Sequence, residues 1–349
     1  MTNREVSIYD SSDMFQVLAD FNEQIDEAYN IGQSFNPPGD FRDVNKIIIS
    51  GLGGSAIGGD LLRSVLWYEL KIPIYVNRNY KIPSFADKST LTIISSYSGN
   101  TEESLSAYNE AKDYNCKIIC LSSGGNLSLL AENDGNLLIK IPKGYQPRCA
   151  LGYSFIPLLI LMFKLGFISN KSRDILRIRD SIKNRSKLYT NFDDSQNYAL
   201  KIAKLLKGKL PVIYSSSDLL DVVNLRWRCQ ISENSKTLAF GNLLPEMNHN
   251  EIVGWQENPA LLKNLAVISL IDKEDHVRIQ KRNEITIKLI SDLAALAIEL
   301  DGEGESKLER IFDLIYLGDW VSFYLAILNK IDPTPVEKIN FLKNKLMEN

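Results

Sequence analysis

The chain has 349 residues, 40 of them basic and 43 acidic, for a formal net charge of −3. That length suits two domains, each able to bury a core, and the near balance of charge excludes the basic bias of a nucleic-acid partner. The four cysteines, Cys116, Cys120, Cys149 and Cys229, form no CxxC pair and read as free thiols of a reducing compartment. Met1 to Asp10 lacks an apolar core, so no signal peptide is expected. The most apolar window, Phe155 to Phe167, is too short to span a bilayer and holds Lys164. A cytoplasmic protein with no membrane partner is the expectation.

In chain order, Phe15, Leu18, Phe21 and Ile25 share one face of a leading helix over 11–33. Strands at 46–50, 72–77, 91–95, 116–122 and 136–142 then alternate with helices near 56–67, 102–114 and 126–133. That βαβ rhythm predicts a parallel, doubly wound α/β sheet with right-handed crossovers. An apolar helix at 154–166 follows, and a charged segment over 169–190, basic from Lys171 to Lys187, reads as a connector with a solvated helix face. The pattern restarts with a strand at Leu210 to Tyr214, a helix over about 219–233, a strand at Leu265 to Ile271 and a helix from near His276. Leu293 to Leu300 fits either strand or helix. A helix near 306–328 must stop before Asp332-Pro333-Thr334-Pro335, and a final helix covers about 336–347. Domains are expected at 1–168 and 196–349, joined by a helical connector at 169–195. The two halves share a rhythm but no evident sequence repeat.

Two of the strands end in loops suited to an anion. Lys46 to Ser50 runs into Gly51-Leu52-Gly53-Gly54-Ser55, and Leu91 to Ser95 into Ser96-Tyr97-Ser98-Gly99-Asn100-Thr101. Glycines let backbone amides approach a ligand, clustered hydroxyls donate to it, and the helix that follows favours negative charge at its amino end. Gly51-x-Gly53-x-x-Ala56 also fits a dinucleotide fingerprint, but the next strand ends in Asn77-Arg78 without the acid that holds a ribose. Gly58-Gly59-Asp60 lacks the lysine and hydroxyl of a Walker loop. Two such loops in one parallel sheet point to a phosphorylated small molecule.

Gly53-Gly54-Ser55 together with Ser96 to Thr101 resembles the sugar isomerase (SIS) domain. Further segments resemble the bifunctional phosphoglucose/phosphomannose isomerases: Gly51 to Asp60, Pro147 to Tyr153, Ser232 to Lys236, Pro245 to Trp255, and Tyr316 to Trp320 through Asp332 to Pro335. They occur in order across residues 46 to 346. The resemblance implies two doubly wound SIS-type domains, each a mainly parallel sheet flanked by helices. It also implies a cofactor-free aldose–ketose isomerase acting on glucose 6-phosphate and mannose 6-phosphate.

Such chemistry needs a base to carry a proton between C1 and C2, a group to open the ring and a cation for the enediolate. Read from the residues alone, Glu233 could be an exposed helix-end carboxylate; the resemblance makes it the base. His249, in the polar run Asn248-His249-Asn250, could protonate the ring oxygen. By resemblance it serves the neighbouring subunit of an obligate homodimer. Arg148 would stabilise the enediolate. Lys343 best matches a ring-opening lysine in the last helix, with Lys338 and Lys345 as alternatives, and Thr334 would leave room for either C2 epimer. Gly53, Gly54, Ser55, Ser96, Ser98 and Thr101 would hold the phosphate. Two distant histidines and no clustered Cys/His pairs give no zinc site. Other readings are a phosphosugar sensor, which would need the loops but not Glu233 or His249, and an isomerase of amino sugar phosphates, whose glutamine-hydrolysing form needs an extra N-terminal domain. The Ser215-Ser216-Ser217 turn lacks a glycine loop, so the phosphate is expected in the first half.

Overall fold

The structure is a computed structural model that describes residues 1–193 and 195–348. Two short helices open the chain, α1 (Asn3–Tyr9) and α2 (Met14–Ala19), followed by α3 (Phe21–Ser34). Then come β1 (Lys46–Ser50), α4 (Gly54–Leu66), β2 (Ile74–Asn77), β3 (Thr90–Ser96), α5 (Glu102–Asp113), β4 (Lys117–Ser122), α6 (Gly125–Asn133) and β5 (Leu137–Lys140). A 3-10 turn at Pro147–Cys149 leads into α7 (Leu151–Lys164), and α8 (Ser172–Tyr189) and α9 (Tyr198–Leu206) lead to the second sheet. That part holds β6 (Leu210–Ser216), α10 (Asp221–Ser235), β7 (Phe240–Leu244), two 3-10 turns at Glu246–His249 and Glu251–Gly254, α11 (Pro259–Leu262), β8 (Leu265–Ile271), α12 (Val277–Ile290) and β9 (Leu296–Asp301). The chain closes with α13 (Lys307–Leu328) and α14 (Glu337–Met347).

Two compact units result, one made of Phe21–Ser181 with Ser306–Glu309, the other of Met1–Asp20, Ile182–Glu305 and Arg310–Asn349. The first holds a five-stranded sheet in the order β2-β1-β3-β4-β5, with every pairing parallel. The strands are apolar on both faces, as helices on either side require: Ile47, Ile48, Ile49, Leu91, Ile93 and Ile94 are fully buried. The second unit holds a four-stranded, all-parallel sheet in the order β7-β6-β8-β9. In both sheets the strand order reverses beside the first strand, and the crevice beyond the carboxyl ends at such a reversal is where ligands bind in open α/β sheets.

Several elements differ from the sequence expectation. The helix expected over 11–33 is two helices, because the Leu18 and Ala19 carbonyls accept from Tyr316 Oη at 2.8 Å and Ser186 Oγ at 2.9 Å and the chain turns at Asp20. Phe15 packs edge-on to Trp320 with centroids 5.2 Å apart, so residues 1–20, expected with the first domain, pack in the second unit. Of the ambiguous stretch Leu293 to Leu300, the part from Leu296 onward forms the strand β9, and β7 is a strand that periodicity did not reveal. Length and composition alone would let α13 cross a bilayer, contrary to the expectation that nothing reaches that length. However, 94% of its apolar window is buried inside the structure, as in a core helix.

Candidate functional site

The glycine loop after β1 is shaped by close backbone approaches. A Cβ at Gly51 would stand 2.7 Å from the Ser95 carbonyl oxygen, and one at Gly54 only 2.4 Å from that of Pro147. Gly53 holds φ +52° just before α4, where a side chain would be strained. Gly58, one turn on, would meet the Ser154 backbone at 2.5 Å. Small residues thus let the amino end of α4 press against both the 3-10 turn that carries Arg148 and the start of α7. No acidic residue sits in the first turn of α4 or α6, whereas α5 begins with Glu102 and Glu103. The α4 and α6 ends therefore keep their attraction for an anion.

Tyr97 ties the loops together. Its backbone amide donates to Ser55 Oγ at 3.1 Å, and its carbonyl accepts from the Ser123 amide at 3.1 Å and Ser123 Oγ at 2.6 Å. Its phenol oxygen accepts from the Tyr145 amide at 2.9 Å, three residues before Arg148, and burial raises the phenol's pKa. Ser96 is buried; its Oγ lies 2.6 Å from Thr101 Oγ1 and accepts from the Gly99 amide at 3.1 Å. These two hydroxyls brace the turn, while Ser98 is exposed and its Oγ accepts from the Asn100 amide at 3.2 Å. Arg148 is 5% exposed. The structure therefore gathers Gly53, Gly54, Ser55, Ser96, Ser98, Thr101 and Arg148 around the carboxyl ends of β1 and β3.

In the other unit, Glu233 lies half-buried in the last turn of α10. Lys236 Nζ donates to the carbonyls of Glu233 at 2.6 Å and Pro333 at 2.9 Å, which brings the Thr334 segment beside the end of that helix. Thr334 is buried, and its amide donates to Asp332 Oδ1 at 2.9 Å. His249 is exposed at the end of its 3-10 turn. The loop behind it is pinned by Glu251, which accepts from Tyr214 Oη and, at 2.7 Å, from Asn242 Nδ2; the same phenol accepts from Trp255 Nε1 at 3.1 Å. Burial, then the neighbouring Glu251 carboxylate, pushes the Tyr214 phenol pKa far up, so it remains a donor. Lys343 is exposed on α14. Glu233 and Thr334 are thus brought together, whereas His249 and Lys343 stand exposed on separate elements.

The reversal in the second sheet differs in charge. Asp272, just beyond β8, is fully buried against Arg310, whose Nε donates to it at 2.7 Å, and Asp301 ends β9. Asp275 Oδ2 accepts from the Asp272 amide at 3.1 Å, and burial raises the pKa of both Asp275 and Asp301. Three carboxylates and one guanidinium make a poor seat for a phosphate. Among the described residues no group of three or more His, Cys, Asp or Glu is placed to hold a metal ion.

The chain is 46% identical over 338 residues to a bifunctional phosphoglucose/phosphomannose isomerase of Caldicellulosiruptor bescii, covering 96% of this chain and 99% of the relative. The chain belongs to this family. A relative of the same name from Aquifex aeolicus is 35% identical, with 92% of this chain and 99% of that one covered. The family described as the bacterial phospho-glucose isomerase C-terminal SIS domain matches residues 195–346. Among solved structures, the C-terminal domain of glucosamine-fructose-6-phosphate aminotransferase from Francisella tularensis superposes with a TM-score of 0.70 at 16% identity, covering 92% of this chain and 98% of that one. Glucosamine-6-phosphate deaminase from Thermotoga maritima gives 0.66 at 16%, over 91% and 96%. At that identity both show the SIS fold alone, and the expected two-sheet SIS architecture is the one found.

Sequence reading passed over the third loop, Ser122-Ser123-Gly124-Gly125, although it combines paired glycines like those that follow β1 with paired serines like those that end β3. A Cβ at Gly99 would overlap the Gly124 carbonyl oxygen at 1.7 Å, and one at Gly125 would lie 2.4 Å from that of Ser98. Both glycines have positive φ, +70° and +73°. The second loop therefore needs the third one's glycines to take its shape.

Proposed function

We propose that the protein interconverts glucose 6-phosphate and mannose 6-phosphate with fructose 6-phosphate through an enediolate, without a cofactor. The observation that carries this is the 46% identity over 96% of the chain to a relative that bears both activities in its name. In this reading the loops around Gly53, Gly54, Ser55, Ser96, Ser98 and Thr101 hold the phosphate with backbone amides and hydroxyls. His249 and Lys343 open the ring. Glu233 carries one proton between C1 and C2, and a half-buried carboxylate suits a group that must take and return the same proton. Arg148, held on a buried turn, offsets charge that appears only in the transition state. Thr334, on the segment stitched to the end of α10, gives the room at C2 that both epimers require. His249 works in the neighbouring subunit of a homodimer, for which its exposed place on a braced loop is the supporting feature. Such an enzyme belongs in the cytoplasm.

The test is turnover of each sugar phosphate in D2O by chelator-treated protein, followed by NMR. Conversion of both with deuterium at C1 or C2 is expected; binding of both without turnover would instead make the protein a phosphosugar sensor. Glu233→Gln should lower kcat at least about 100-fold with little change in KM, and Ser55→Ala should mainly raise KM. A Glu233→Gln enzyme with near-normal kcat would remove that residue from the mechanism.

A further inference from the structure

Gln24, on α3, is 3% exposed and takes no part in the chemistry above. Both ends of its amide are used on one short stretch of backbone 125 and 128 residues away. Nε2 donates to the Cys149 carbonyl at 2.9 Å, and Oε1 accepts from the Gly152 amide at 2.8 Å. Gly152 lies in the first turn of α7, where an amide has no partner within the helix. The contact is close as well: a Cβ at 152 would stand 2.8 Å from Gln24 Oε1 and 3.1 Å from its Cγ, so the amide would have to shift to admit one.

The stretch so clamped begins at the residue after Arg148. On its other side, the Pro147 carbonyl lies against Gly54 at the amino end of α4, as close as a hydrogen in place of a Cβ allows. The backbone on either side of Arg148 is therefore set by two helices, by close contact at 147 and by hydrogen bonding at 149. We propose that Gln24 is a positioning residue for Arg148: its amide fixes the turn from which the guanidinium projects. This rests on the reading of Arg148 as the group that stabilises the enediolate. A guanidinium meant for charge that exists only in the transition state should, when displaced, affect kcat and leave the phosphate loops to hold KM.

The experiment is a double-mutant cycle on the full-length protein, with steady-state kinetics for both sugar phosphates and circular dichroism for the fold. Gln24→Met removes both bonds at similar volume, and Arg148→Lys blunts the group they serve. Gln24→Met is expected to lower kcat roughly 10- to 100-fold, the scale of a 1 Å misplacement, with KM changed less than about threefold. In the Arg148→Lys background the same change should add less than about twofold, because the residue it positions is already impaired. Should Gln24→Met fail to fold, Gly152→Ala, which pushes on the same amide from the other side, takes its place in the cycle. An Arg148→Lys enzyme with normal kcat would overturn the role given to Arg148. A costly Arg148→Lys beside a harmless Gln24→Met would overturn only the positioning, as would losses that multiply or a rise confined to KM.

Discussion

Gly54 illustrates how much one residue type can decide. The backbone oxygen 2.4 Å from its missing Cβ belongs to Pro147, so the side chain of any other residue would push the Arg148 turn away from α4. Gly54→Ala is expected to destabilise the protein by about 1–3 kcal/mol, as overpacking does, because the obstacle is backbone and cannot rotate aside. It should lower kcat more than it raises KM, since the turn moves while Ser55 keeps its bond to Tyr97. Chemical denaturation and kinetics on one preparation check both, and an unchanged denaturation midpoint with full activity would mean that the turn yields freely. Residue identity announced the glycines and hydroxyls of the first two loops, whereas Glu233, Arg148, Lys343 and Thr334 became candidates through the family resemblance. It did not announce Tyr97 as the hub, because a tyrosine between two serines carries no signal until its amide, carbonyl and phenol are seen to face three different segments.

At the scale of elements, α10 shows how a helix that carries a catalytic candidate is held. Arg226 pairs with Asp319 of α13, both buried, with Nη2 to Oδ2 at 2.7 Å. Gln230 Nε2 donates to the same carboxylate at 2.8 Å, Asn234 Nδ2 donates to Ser322 Oγ at 2.9 Å, and Trp227 Nε1 donates to the Leu314 carbonyl at 2.9 Å. Positions 226, 230 and 234 recur every four residues and form one polar seam along α10 that ends beside Glu233. Arg226→Met leaves the Asp319 carboxylate buried without its guanidinium and should cost about 3–5 kcal/mol in urea unfolding. Replacing Asp319 as well, by Leu, should restore much of that loss; a double variant no better than the single one would show that the seam does more than balance its own charge. Such a seam blurs the apolar periodicity of α10, which reads from sequence only as a helix over about 219–233. The β7 strand was missed for a related reason. Phe240 at its start is exposed, and Gly241 is there because a Cβ would lie 2.2 Å from the Ile213 carbonyl oxygen.

For the whole molecule, chain order and spatial order part company in the first twenty residues. Phe15 lies within 5.9 Å, centroid to centroid, of Trp320, Phe323 and Phe192, all of the same unit. Removing residues 1–19 should therefore loosen that unit selectively. Hydrogen exchange should rise in α13 and in β6 and β8, while β1, β3 and β4 keep their protection. Equal loss in both sheets would contradict the division into two compact units.

What the sequence determined by itself is the set of things written in local pattern. Apolar runs ending in glycine and hydroxyl turns specify parallel strands and anion loops, and motifs strung across the chain specify the family. What only tertiary structure decided is everything that depends on contact between segments far apart in the chain. A helix expected over 11–33 breaks because distant side chains capture its carbonyls, and a membrane-length apolar helix is buried as core. An unremarked glutamine on α3 clamps a turn 125 residues downstream. Hydrogen bonds and van der Waals contacts act over a few ångströms of space whatever the separation along the chain, so no local pattern can report them.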